Sequence, residues 1–222
     1  MKIIAKIKTD YKEKFGIPRQ SGLVEESRGK IIFEKEYRVQ EAFRGLEEFS
    51  HIWILWQFSE AVRESWSPTV RPPLLGGNKR IGVFATRSPF RPNAIGLSCV
   101  KLEKIEFSKT DGPVLHIKGA DLMDNTPIFD IKPYLPYADS YPDAVGGFTE
   151  HLSERKLDVQ IATEDFEKIP PALQEEIICI LSHDPRPSYQ DDDKIYGMKY
   201  NQYEIKFQVT DKMLTIVSLE KI

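Results

Sequence analysis

Through the first 140 residues, no apolar run continues far before glycine or proline closes it, so a helical period rarely has room to develop. That punctuation is the tightest limit on the fold. Ile3, Ala5 and Ile7 alternate with lysines, as in a strand with one wet face, and Lys30 to Glu34 reads as a second short strand. Ser50 to Phe58 is almost continuously apolar and rich in aromatic and β-branched residues, the texture of a strand buried on both faces or lining a barrel. Ile81 to Ala85, Ile95 to Ile105 and Pro127 to Ile131 are further strands, and Asp111-Gly112-Pro113 turns the chain into Val114 to Ile117 as a hairpin. Val39 to Leu46 is expected to be a short helix with Gly45 near its end, and residues 60–80, with Ser67-Pro68, Pro72-Pro73 and Gly76-Gly77, a long loop. Many short strands without alternating helices predict a mainly β sandwich or barrel. The absence of a G-x-G-x-x-G element disfavours a doubly wound dinucleotide site.

From about residue 150 the texture changes, so the chain divides into 1–150 and a small α+β domain over 151–222. Pro170-Pro171 precedes a helix with Leu173, Ile177, Ile180 and Leu181 on one face, and Glu175 and Glu176 are expected near its start, where they suit the helix dipole. Two alternating strands, Tyr203 to Val209 and Met213 to Leu219, close the chain. Mean hydropathy is −0.40, and no run approaches the length of a membrane span. Cys99 and Cys179 have no metal-ligand spacing and sit in apolar surroundings, which predicts reduced core thiols in a cytoplasmic protein. Asp121, Asp124 and Asp130 lack the spacing of a calcium loop, and no metal is expected.

Charge is distributed unevenly. Net charge is −3, yet between Glu64 and Glu103 there is no acid, while Arg71, Lys79, Arg80, Arg87, Arg91 and Lys101 all fall there. Ordinary solvated surface would intersperse the two signs, so the segment reads as an electropositive face for phosphates or a carboxylate. At its centre is Thr86-Arg87-Ser88-Pro89-Phe90-Arg91-Pro92-Asn93. Pro89 and Pro92 stiffen this loop and bias Ser88 and Arg91 to extended conformations, which would set Arg87 and Arg91 roughly 12 Å apart. With a sequence pI near 5.9 the protein is no bulk polyanion coat, and any nucleic-acid contact must be local.

GVFATRSPFRPNAIGLS (82–98), together with EEFSHIWILWQFS (47–59), MDNTPIFDIKPYLPYADSYPDA (123–144) and HDPRPSY (183–189), resembles in order the blocks of the TsaA-like, or TrmO, family of S-adenosylmethionine-dependent tRNA adenine-N6 methyltransferases. The resemblance implies a single-sheet β-barrel of non-Rossmann type, a homodimer, and S-adenosylmethionine as cofactor. It also implies cofactor contacts from Pro18, Arg19 and Gln20, from His51 and Ile52, from Arg87 and Leu97, and from Asp121, Leu122, Met123 and Asp124. Substrate contacts are expected from Arg71, Arg80, Arg91, Asn93, Arg186 and Tyr189. The implied reaction methylates N6 of the adenine beside the anticodon in tRNA that already carries a threonylcarbamoyl group there. Asp130, with Lys132 two residues on to keep it ionised, is the expected acceptor of the N6 proton. Two other readings fit the residues: a noncatalytic RNA-binding module, and a methyltransferase of the same fold acting on another small acceptor.

Overall fold

The computed structural model describes residues 1–75, 77–150, 156–186 and 194–222. The chain begins with β1 (Ala5–Thr9) and β2 (Arg28–Phe33), passes through 3-10 turns to β3 (His51–Gln57), and makes a small hairpin of β4 (Thr69–Val70) and β5 (Ile81–Gly82). β6 (Ile95–Ser108), β7 (Gly112–Lys118) and β8 (Pro127–Pro133) follow, then a single helical turn, α1 (Pro136–Asp139). Six strands close a barrel in the order β1-β2-β7-β6-β3-β8, every neighbouring pair antiparallel.

Alternation explains the barrel interior. In β3, Ile52, Ile54 and Trp56 point inward while His51, Trp53, Leu55 and Gln57 face out, half-buried. Ala5, Ile7, Ile31, Val100, Leu115, Ile117 and Ile128 fill the remaining interior, each 1% exposed or less. Burying each of the larger ones contributes about 1.5–3 kcal/mol. A closed sheet leaves no unpaired edge, which is how so short a set of strands stays monolithic.

The second core belongs to β9 (Asp158–Ile161), α2 (Pro171–Ser182), β10 (Ile195–Tyr200), β11 (Tyr203–Thr210) and β12 (Met213–Lys221), with sheet order β10-β11-β12-β9. Ile177, Ile180 and Leu181 of α2 pack on it as their spacing predicts. Tyr11, Phe15, Ile17 and Val24, all from the β1–β2 connection, also pack there. Tyr11 bridges to Tyr200, and the Asn201 N–H donates to the Asp10 carbonyl at 3.0 Å.

Four local expectations are corrected. Val39 to Leu46 is not one helix but the 3-10 turns Gln40–Phe43 and Leu46–Glu48, parted by Gly45 at φ +85°, a conformation that ends a helix. Only Ile81–Gly82 of the Ile81 to Ala85 run is strand. Its continuation, Val83–Ala85, is a 3-10 turn: the Val83 N–H still donates to the Pro68 carbonyl at 2.9 Å, but Pro68 has no N–H to return the bond and the ladder stops there. Glu176 is not a dipole-compensating surface acid: it lies past the first turn of α2, buried, and accepts from the Tyr200 hydroxyl at 3.0 Å. Burial pushes its carboxyl above the ordinary range. The strand expected to end at Ile131 runs on to Pro133, which puts Asp130 in mid-β8, just after a bulge opposite Leu55/Trp56.

Candidate active site

The barrel opens at one end into a cavity of about 530 Å³, lined by parts of the β1–β2 connection, the end of β3, the 86–91 loop, the start of β6 and the segment after β7. Trp56 anchors its floor. The indole lies against Gly96, where a Cβ would stand 2.2 Å from its Cε2, so only glycine lets the ring seat there. Its Nε1–H donates to Ser98 Oγ at 2.9 Å, and the Ser98 hydroxyl donates to Asp121 Oδ1 at 2.6 Å. Burial pushes the Asp121 carboxyl up to about 6, against the opposing pull of the Ser98 bond and the Arg87 charge. A desolvated carboxylate beside an open cavity is a poised acceptor for donors on a ligand.

The arginine loop closes on itself. Thr86 Oγ1 donates to the Val83 carbonyl and accepts from the Ser88 N–H, Ser88 Oγ accepts from the Phe90 N–H, and the Arg91 guanidinium donates to the Thr86 carbonyl at 2.9 Å. The loop is therefore stiffened by hydroxyl-to-backbone turns as well as by its prolines. Arg87 donates to Gln20 Oε1, joining this loop to the Pro18-Arg19-Gln20 segment. Ser21 fixes that segment to the barrel, accepting from the Cys99 N–H at 3.1 Å, and the Gly22 N–H donates to the Gly119 carbonyl at 3.0 Å. Arg19 reaches the other way, donating to the Arg186 carbonyl at 2.9 Å and the Asp184 carbonyl at 3.4 Å. Burial lowers its pKa, opposed by the Asp184 charge.

Of the residues singled out by sequence, Pro18, Arg19, Gln20, Arg87, Arg91, Leu97, Asp121 and Met123 line this cavity. Others do not. His51 begins β3 at its far end from the cavity, bonded to Ser50 Oγ, and Ile52 is wholly inside the barrel. Leu122 is likewise a core residue. Asp124 closes a turn, accepting from the Thr9 N–H and pairing with Lys12 at 3.3 Å, while Asn125 takes φ +65°. Asp130 and Lys132 form an ion pair at 3.0 Å on the outer face of the sheet. Asp130 stands opposite Leu55, which stands opposite Leu97, so it lies two strands, or about 10 Å, beyond the cavity lining along one cross-strand row. Arg80 braces the small hairpin through Thr69, and Arg71 and Asn93 are exposed nearby. Arg186 is buried, its guanidinium engaged by Asp184 at 2.9 and 3.1 Å, which makes it a support for Arg19 rather than an outward phosphate grip. Tyr189 lies outside the described residues.

Sequence reasoning missed Trp56, Ser98 and Phe90 as lining or supporting groups; the spacing Gly96-x-Ser98 within the signature was the available signal. Among the described residues no group of three metal-binding side chains occurs, and no helix is long and apolar enough to cross a membrane. A larger hollow of about 730 Å³ lies between the turns at 40–48 and β6, lined by Glu41, Glu47, Glu103, Arg44 and Lys104 among others. It gathers none of the residues above.

Comparison with known proteins adds to this geometry. The family model for the tRNA-methyltransferase O N-terminal domain matches residues 6–140, and that for the TrmO C-terminal domain matches residues 154–222. The tRNA (adenine(37)-N6)-methyltransferase of Escherichia coli K12 is 42% identical over 226 residues, covering 98% of this chain and 96% of its own. A Pseudomonas aeruginosa protein, RcsF, named as a candidate S-adenosylmethionine-dependent methyltransferase, is 40% identical over 195 residues, covering 84% of this chain and 81% of its own. A crystal structure of TrmO from Pseudomonas aeruginosa superposes with a TM-score of 0.78 at 30% identity, over 98% of this chain and 96% of that one.

Proposed function

The chain belongs to the tRNA-methyltransferase O family, and on that premise we propose that it transfers a methyl group from S-adenosylmethionine to N6 of adenine 37 in tRNA, with threonylcarbamoyl-adenosine as the preferred acceptor. The observation that carries the reading is that both family domains match in order along one chain. The cavity fits the cofactor class. Its volume is that of a small-molecule site, and Ile17, Phe58, Phe90 and Leu97 supply apolar wall. Asp121 offers a desolvated acceptor for hydroxyl or amine donors, and Arg19 and Arg87 offer forks for a carboxylate.

When bound, S-adenosylmethionine supplies an electrophilic sulfonium methyl group. The chain's own contribution is alignment. Gln20 and Arg87 clasp each other across the cavity rim, and Trp56 and Ser98 fix Asp121. Arg91, with Arg71, Arg80 and Asn93 beyond it, faces the side from which a polyanion would approach; the threonyl carboxylate and neighbouring phosphates are its proposed ligands. Asp130, with Lys132, remains the proposed acceptor of the N6 proton, for a substrate lying across the outer face of β6 and β3. The exposed Tyr137, Tyr141 and Val145 that follow β8 support a homodimer. We take residues 1–150 as the cofactor-binding and catalytic domain, 151–222 as its support, and the cytoplasm as the site of action.

The test incubates the protein with S-adenosylmethionine and with tRNA bearing or lacking the threonylcarbamoyl group, and analyses the nucleosides by mass spectrometry. Methylated threonylcarbamoyl-adenosine, with little product from unmodified tRNA, is the expected result. Salt-sensitive RNA binding without methyl transfer would replace the enzyme with an RNA-binding module. Sedimentation of the protein alone tests the dimer.

A further inference from the structure

Two large aromatic side chains stand in the open beside the cavity mouth. Trp66 is 49% exposed and Phe84 is 70% exposed, and their ring centroids lie 5.9 Å apart at 34°. They are not held loosely. Trp66 sits three residues before β4 and Phe84 two residues after β5, so the hairpin that pairs Thr69 with Gly82 and Val70 with Ile81 brings them together. The turn carrying Phe84 is pinned by Val83, which is wholly buried and donates its N–H to the Pro68 carbonyl. A fold that fixes its backbone yet leaves so much aromatic surface wet has kept that surface for a partner.

The surroundings say which kind. The Arg91 guanidinium lies 5.9 Å from the Phe84 centroid, and Arg63 lies 3.8 Å over Phe90, which lines the cavity. Arg71, Lys79, Arg80 and Arg87 fall in the same acid-free segment, and among the described residues none of these four, nor Arg91, makes an ion pair. Exposed rings among uncompensated cations are the means by which proteins take up single-stranded nucleic acid: bases stack on the rings and phosphates meet the cations. A second copy of this chain suits the patch less well, because a two-fold contact there would set its cations against themselves.

We propose that Trp66 and Phe84 form a stacking platform for an unpaired RNA base, adjoining the cavity so that a nucleotide flanking the reactive adenosine is held there. The proposal rests on the cavity being the methyl-transfer site of an RNA enzyme. It is a subsite for position along the strand, separate from the groups that hold the cofactor. The platform fixes where the loop lies, and Arg87 and Arg91 meet what then enters the cavity.

The experiment measures binding of a fluorescently labelled RNA hairpin carrying the anticodon loop to wild-type protein and to Trp66→Ala, Phe84→Ala and Trp66→Phe. Stacking on one ring accounts for about 5-fold to 150-fold in affinity. Each alanine variant is therefore expected to bind the hairpin more weakly by a factor in that range. Titration with S-adenosylmethionine should be unchanged, and Trp66→Phe should recover most of the loss. Hairpins with one abasic loop position at a time should include one for which wild type and Trp66→Ala bind alike. Equal hairpin affinity for wild type and both alanine variants overturns the platform, as does a change of oligomeric state in either variant on sedimentation, which would make the patch a subunit interface. Weakened hairpin binding by the variants, in a protein that methylates no tRNA, upholds the platform and removes the enzymatic reading instead.

Discussion

Asp121→Asn is expected to stabilise the folded barrel near neutral pH while damaging the site. The native carboxyl is pushed from an ordinary 3.8 to about 6 by burial. That rise corresponds to about 3 kcal/mol of differential interaction between its two protonation states. Its sign follows from linkage: the folded protein holds this proton more tightly than the unfolded chain does. The favourable contribution is complete below about pH 4, declines as pH rises toward 6, and leaves the ionised group disfavouring the folded state by about 3 kcal/mol above that. Asparagine cannot ionise and still accepts from Ser98. Its stability advantage over wild type should therefore grow from near zero at about pH 4 to about 2–3 kcal/mol at about pH 7.5. Urea unfolding followed by circular dichroism at intervals across that range measures it. Above about pH 6, where the wild-type carboxyl is ionised, the variant should bind S-adenosylmethionine about tenfold or more weakly, as expected for losing a charged acceptor. A stability difference that is flat with pH, or that shrinks as pH rises, would refute the assignment of a desolvated carboxylate to this position.

Gly96→Ala places a methyl 2.2 Å from Trp56 Cε2 and 2.4 Å from Cζ2, so the indole must leave its seat and its bond to Ser98. Overpacking and the lost buried bond together should cost about 3–5 kcal/mol, read from the urea midpoint and a shifted tryptophan emission. Arg87→Ala should weaken S-adenosylmethionine binding in calorimetry, whereas Arg91→Ala should lower turnover on tRNA with near-normal cofactor affinity; equal losses in both assays for Arg91 would count against the division. Asp184→Ala removes the carboxylate that takes two bonds from the buried Arg186 guanidinium. It should destabilise the protein by about 3 kcal/mol and reduce cofactor affinity through Arg19, both measurable on one preparation.

The barrel strands were legible because alternation in a closed sheet is a local property. Ile3 to Ile7 betrays its inner face by period, and Lys30 to Glu34 and Ser50 to Phe58 announce strands by their β-branched and aromatic content; the structure assigns the three segments to β1, β2 and β3 within a residue or two. What resisted reading depends on contacts far along the chain. Nothing near Glu176 announces a Tyr200 hydroxyl across the second core. Arg186 differs: the carboxylate that takes its fork, Asp184, is only two residues away, and what the sequence does not show is that the pair is turned inward and buried. β9 and β10 were missed for a related reason: short strands with exposed or mixed faces carry little period of their own. In the site, the basic segment stood out by charge. Ser98 did not, since a serine inside an apolar strand declares its role only through the Trp56 and Asp121 it joins.

The joint between the two cores bears on what the second domain contributes. Tyr11, Phe15, Ile17 and Val24 leave the barrel's own sequence to pack beneath the C-terminal sheet, and Pro18, Arg19 and Gln20 are the stretch between those anchors. One wall of the cavity is thus a loop whose flanks are buried in the other domain. Arg19 is fastened to that domain directly, through the carbonyls of Asp184 and Arg186, and Arg186 is in turn secured by Asp184. A loop restrained at both ends and at its charged middle loses little further freedom when a ligand arrives, which is the thermodynamic value of preorganisation. The C-terminal domain therefore acts on the site through Arg19 and Gln20, by fixing the wall against which Arg87 closes.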